Sequence, residues 1–169
     1  MSGSIFLDSL RVVMTRDLGS LDRQIAAYPD DDSLWKRAPG ISNSAGNLAL
    51  HIAGNLRHFL GATLGGTGYV RDRAAEFESK GLSRDDVRQE VQSALGDVEL
   101  TIERISDDQL SADFPLPILD RSVRTADFLM HLAAHLTYHL GQIDYHRRIL
   151  TENPAMVENV SIREIMPKP

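Results

Sequence analysis

The chain has 169 residues, a formal net charge of −6 and 42% hydrophobic content, enough apolar material for one sizeable core in a single domain. That acidic balance, with no lysine/arginine block anywhere, excludes a nucleic-acid surface, which needs a basic patch. Cysteine is absent, so there is no disulfide framework, thiolate metal site or cysteine nucleophile; a metal must use nitrogen and oxygen ligands, and thiol chemistry must import its thiol.

The first predicted helix runs from about Ser4 to Ala27, with Ile5, Leu10, Val13, Leu18, Leu21 and Ile25 at mostly helical steps. Acidic and basic residues interrupt its apolar ones, unlike a signal peptide, and no apolar run reaches the ~20 residues of a membrane span. The expectation is a soluble cytoplasmic protein with no membrane partner. Pro29 and Asp30-Asp31-Asp32 break this helix. The second starts near Ser42–Ser44, where small polar residues cap free N–H groups, and stops at Gly65-Gly66. The third follows Ser83, with Asp86 three residues on as a loose capping box, and carries Val87, Val91, Leu95, Val98 and Ile102. The fourth begins between Ser122 and Thr125 and ends near Leu150. No strand alternation or tandem repeat stands out. These segments predict an all-α four-helix bundle over residues 1–150, with connections at 28–42, 65–82 and 106–121. A C-terminal extension, 151–169, packs on the bundle or on a partner subunit.

Four of the six histidines, His131, His135, His139 and His146, lie in the last helix. His135 and His139 differ by about 40° in direction and ~6 Å along the axis, the spacing at which two imidazoles reach one metal ion. His131 comes one turn earlier and Gln142 about one turn later on the same stripe. A working zinc-like site takes three protein ligands and keeps a position open. The second helix offers His51 in its middle, so a site of His51, His135 and His139 is geometrically sensible. A single histidine on an apolar face is more often a hydrogen-bonded core residue, and that structural reading is the favoured one for His58, His131 and His146. HLTYH lacks the glutamate of HExxH, so the zinc-peptidase base is missing.

HLTYHLGQIDYHRRIL resembles the last-helix motif HxxxHxGQI of the DinB-like (YfiT-like) superfamily. NLALHIAGNLRHFLGA resembles that superfamily's second-helix segment, and with the helix pattern the likeness runs from Ile5 to Leu150. The resemblance implies a bundle in which His51, His135 and His139 hold a divalent metal ion, nickel or zinc. Gln142, His131 and Asn55 are then expected behind the ligands or along the cavity. GGTGYVRDRAAEF is similar to the RDxEF linker of one branch, which implies that Arg71, Asp72, Arg73 and Glu76 stand near the mouth. Members of known activity are metal-dependent transferases or isomerases that use a low-molecular-weight thiol such as bacillithiol or mycothiol.

The implied function is a thiol-dependent S-transferase acting on a small-molecule substrate, with metal-assisted hydrolysis as the sister reading. No residue is singled out as a catalytic acid, base or nucleophile. The competing class is a non-catalytic metal-binding stress-response scaffold, in which Gln142 or His131 closes the coordination. A homodimer is expected from the resemblance, from the tail and from the surplus apolar residues Phe6, Val12, Val13 and Met14.

Overall fold

Apolar residues at steps of three and four build the first helix, α1 (Gly3–Ala26), and its buried row is Leu7, Leu10, Met14, Leu18, Leu21 and Ile25. The computed structural model describes residues 3–157 and 160–166, so 158–159 and 167–169 of the expected extension lie outside the described residues. After α1 come α2 (Asp31–Trp35), α3 (Ala45–Leu56), α4 (Arg73–Glu78), α5 (Arg84–Ile102), α6 (Asp107–Ser111) and α7 (Thr125–Thr151). The long elements α1, α3, α5 and α7 form the bundle, and α3 continues as a π-helical segment, Arg57–Leu64. The fold class is therefore the expected all-α bundle.

Three inward positions differ from the sequence pattern. Ile5 is exposed and Val13 half-buried, because Leu7 and Met14 continue the spacing of Leu10 and Leu18. On α5 the buried row is Val87, Val91, Ala94, Val98 and Ile102, with Ala94 inside and Leu95 half-buried. The small inner residue lets neighbouring helices approach. A similar approach occurs at Gly61, where an added Cβ would lie 2.8 Å from Asp97 Oδ2 of α5. Ser83 and Asp86 form the full capping box at the start of α5.

Each connection read as a loop carries a short helix. A capping side chain starts each one: Asp30 for α2, Asp72 for α4, and for α6 Ser106, with Gln109 completing a capping box. Five or six residues are too few to show a helical period. Two isolated antiparallel bridges, Asp113–Arg124 and Ile118–Arg121, then fold the segment before α7.

Polar residues, of which Asp17, Gln24 and Arg147 are buried, stitch α7 to α1. Thr137 Oγ1 donates to Asp17, and Gln24 Nε2 donates to Asp144 Oδ1 at 3.0 Å. Arg147 is buried; its Nε donates to Gln24 Oε1 at 2.7 Å and its Nη2 to the Ala155 carbonyl at 2.9 Å. His146 Nε2 lies 2.8 Å from the Lys36 carbonyl, which only accepts, so Nε2–H donates there. Nδ1 is then the acceptor for the Tyr28 hydroxyl at 2.7 Å, which gives His146 the structural role read from the sequence. The 3₁₀ turn Ile162–Ile165 rests on α1, where Arg23 pairs with Glu164 at 3.1 Å. Met14 is buried and Phe6, Val12 and Val13 half-buried, so the apolar surplus of α1 is largely taken up within the chain.

Truncating Arg147 would remove a buried cation that bonds Gln24 Oε1, Asp144 and the Ala155 carbonyl. Arg147→Ala is expected to lower unfolding stability by about 3 kcal/mol, as for a broken buried ion pair, and Arg148→Ala by under about 1. Urea denaturation of both variants measures the difference.

Candidate metal centre

Direct packing of α3 on α7 brings three imidazoles together. His51 on α3 is 6% exposed, and its ring lies 5.2 Å from that of His135 and 5.3 Å from that of His139, centroid to centroid. The three rings are nearly perpendicular to one another, at 83°, 90° and 87°. One ligand nitrogen from each lies within 4.8 Å of the others. His135 Nε2 and His139 Nε2 stand 3.0 Å apart. Two nitrogens bound at ~2.0–2.1 Å to one ion would be separated by about that much, so the donor set fits a divalent cation.

The far sides of two rings are held by partners that decide their tautomers. The Glu76 carboxylate, 5% exposed, lies 2.9 Å from His51 Nδ1 and accepts its proton. Arg71 Nη2 is also 3.3 Å from that nitrogen, but a guanidinium cannot accept, so the Glu76 contact decides. His51 Nε2 is thereby left as a lone pair. Arg71 grips both Glu76 oxygens, through Nε at 2.6 Å and Nη2 at 2.8 Å. On α7, His139 Nδ1–H donates to Gln142 Oε1 at 2.7 Å, which likewise frees Nε2. Such outer partners orient metal-ligating histidines.

One face of α3 cradles α4. Asn47 Nδ2 donates to the carbonyls of Glu76 at 3.1 Å and Ser79 at 3.0 Å. One turn on stands His51, and one turn further is Gly54, where an added Cβ would fall 2.3 Å from Glu76 Oε1. Only a residue without a side chain lets the carboxylate sit against the helix.

Burial, the neighbouring His139, His51 and His131 rings and the Arg71 charge bring His135 down from 6.5 to about 4. Burial also lowers His139, against the raising effect of its bond to Gln142. Burial pushes the Glu76 carboxyl up, yet the bonds from Arg71 and His51 bring it below its ordinary value overall. At neutral pH His135 and His139 are uncharged donors and Glu76 is a carboxylate.

The other expected residues are placed as follows. His131 is exposed on α7, its ring stacked 6.0 Å from that of His135. Asn55 is buried one turn after His51, and its Oδ1 has no hydrogen-bond partner among the described residues. Gln142 is an exposed residue at the edge of a cavity beside His139. Asp72 caps α4 and Arg73 lies over the Phe77 ring, whereas Arg71 and Glu76 reach His51 through polar contacts and Phe77 packs its ring 4.9 Å from that of His51.

The family profile described as "Protein of unknown function (DUF1572)" matches residues 2–163. Among solved structures the chain is similar to a DinB-like protein from Bacillus cereus ATCC 10987, with TM-score 0.66 and 22% identity over 86% of this chain and 91% of that one. At that identity the likeness shows a shared DinB-like fold. No curated protein matches the chain.

Glu76→Gln removes the charge behind His51 and is expected to weaken nickel or zinc binding roughly 10–100-fold, read by calorimetric titration. A pH effect follows from the lowered histidines. The unfolded chain binds more protons than the folded one between about 6.5 and 4, so stability is complete above that window and lost as pH falls through it. Urea midpoints of chelator-treated protein across this range check the sign.

Proposed function

The chain belongs to the family described as protein of unknown function (DUF1572), and we propose that it is a divalent-metal-dependent enzyme that joins a low-molecular-weight thiol to a small-molecule acceptor. The observation that carries this reading is the convergence of His51, His135 and His139 next to an open cavity lined by His139 and Gln142. Imidazole donors suit nickel and zinc alike. A cation held by three neutral imidazoles would supply Lewis-acid charge that lowers the pKa of a thiol or water.

The chain's own residues hold and orient. Glu76 and Gln142 keep the Nδ1–H of His51 and His139 pointing away from the centre, so that both Nε2 lone pairs face inward. Asn55 Oδ1 offers a buried acceptor one turn from His51. In the proposed step the thiol sulfur bonds to an electrophilic carbon, the leaving group departs with the bonding pair, and the thiol proton passes to solvent.

Thiol transfer is favoured over hydrolysis by the make-up of the cavity. No carboxylate lines it among the described residues, and both Glu76 oxygens are engaged by Arg71 and His51. A thiol, with an ordinary pKa of about 8.5, stands far closer to ionisation at neutrality than water does, and so asks less of a cation or a base. A closed scaffold site is disfavoured because Gln142 Oε1 is already bonded to His139 Nδ1. A cytoplasmic setting belongs to the same proposal, since such thiols are kept reduced there. So does a homodimer, supported by the uncovered side chains of Met156, Ile162 and Met166.

Elemental analysis of purified protein is expected to show nickel or zinc near one per chain, lost in His135→Ala. A free-thiol assay with an aryl halide and a panel of low-molecular-weight thiols should show consumption that the same variant abolishes. Bound metal without consumption of any thiol would favour the scaffold.

A further inference from the structure

Between the segment 40–43 and α7 lies a cavity of about 470 Å³, with His139 and Gln142 in its wall. Ile41, Leu48, Tyr138, Tyr145 and Ile149 make most of the remaining surface apolar or aromatic, and Ser42 and Asn43 add uncharged polar groups. A quarter of the chain's residues are charged, yet none of the residues lining this cavity is aspartate, glutamate, lysine or arginine. Outside the lining, the Arg148 guanidinium lies 5.5 Å over the Tyr145 ring. The two imidazoles in the lining have their outward nitrogens engaged: His139 Nδ1 by Gln142, and both nitrogens of His146 by Tyr28 and Lys36.

A charged ligand entering such a wall would lose hydration and meet no oppositely charged side chain among the lining residues. An apolar one would cover Tyr138 and Tyr145, each 64% exposed, and Ile149, 55% exposed. The volume falls within the range of small-molecule sites, and a few polar groups at one end of an apolar cleft are the usual means of fixing a ligand's orientation.

We propose that this cavity binds an uncharged small molecule with an aromatic or aliphatic body, whose polar end lies against His139 and Gln142. That this molecule is the thiol acceptor rests on the proposed function; that the cavity selects uncharged apolar ligands does not.

The test uses two fluorescent probes of one skeleton, neutral N-phenylnaphthylamine and its sulfonated relative anilinonaphthalenesulfonate, with the protein as purified. The neutral probe is expected to bind at least tenfold more tightly. Ile149→Asp and Ile41→Asp, both at exposed positions, should each weaken it tenfold or more with helicity and unfolding midpoint unchanged. Met130→Asp, exposed on α7 outside the cavity, should leave binding intact. Equal or tighter binding of the sulfonate, or neutral-probe binding indifferent to both cavity variants, would overturn the proposal. So would absent probe binding together with a dimer, seen by light scattering, that Ile149→Asp splits; the face would then belong to a second copy. Probe binding that behaves as expected in a protein that consumes no thiol would sink the transferase reading and leave this one standing.

Discussion

Burying the Glu76 carboxylate is the constraint around which the site is arranged. A carboxylate with 5% exposure must be paired and hydrogen-bonded or its desolvation is prohibitive. Arg71 neutralises it from one side, and the His51 N–H completes it from the other. That solution imposes requirements elsewhere. The chain must return from the π-helical segment to α3 so that α4 can dock, Asn47 must hold the carbonyls at the end of α4, and position 54 must have no Cβ. Three residues of one helical face, Asn47, His51 and Gly54, therefore share a single task. Ring orientation at His51 is a consequence of that task, since a side chain with one nitrogen fixed has little rotational freedom left.

The last helix solves a different problem, which is to hold its rotation about its own axis. Leucines alone permit small slips of register, because one apolar contact is much like another. Asp17 with Thr137, and Gln24 with Asp144 and Arg147, remove that freedom, since a slip would leave buried polar groups unpaired. With α7 locked to α1 in this way, His135 and His139 point at α3 by construction. The polar seam thus lies on the side of α7 facing α1 and the histidine pair on the side facing α3, and the one fixes the aim of the other.

Much of this was legible in the sequence, for definable reasons. The long helices show because their apolar periods extend over many turns, and the histidine pair shows because i,i+4 spacing is itself a geometric statement. Met14 against Val13 and Ala94 against Leu95 were misplaced because a stripe read from hydrophobicity alone favours the larger or more branched residue. The short helices have no period to read; their signals are N-terminal caps, which look the same in a loop. Glu76 entered only as a residue near the mouth, through resemblance. Its place behind His51 depends on a fold-back over 25 residues and on the missing side chain of Gly54, and neither leaves a repeating pattern. The burial of Arg147 leaves no sequence pattern either, because Gln24 reaches it from α1 while Asp144 stands one turn back on its own helix.

The two sides of the histidine cluster differ in a way that bears on its chemistry. Behind His51 the ionised groups are dry, and Arg71 and Glu76 cancel each other, so that side contributes little net field. In front of His139 the wall is open and carries no charged side chain. A cation bound between them would be compensated by neither, and its field would be felt most strongly by whatever enters from the cavity, where the protein offers no competing ion pair. An arrangement of this kind places discrimination in the shape and polarity of the cavity and activation in the cluster. On the proposed function, changes to Ile41 or Ile149 would alter which molecule is accepted and changes to Glu76 how firmly His51 is held, whereas Gln142, bonded to His139 and part of the cavity wall, belongs to both.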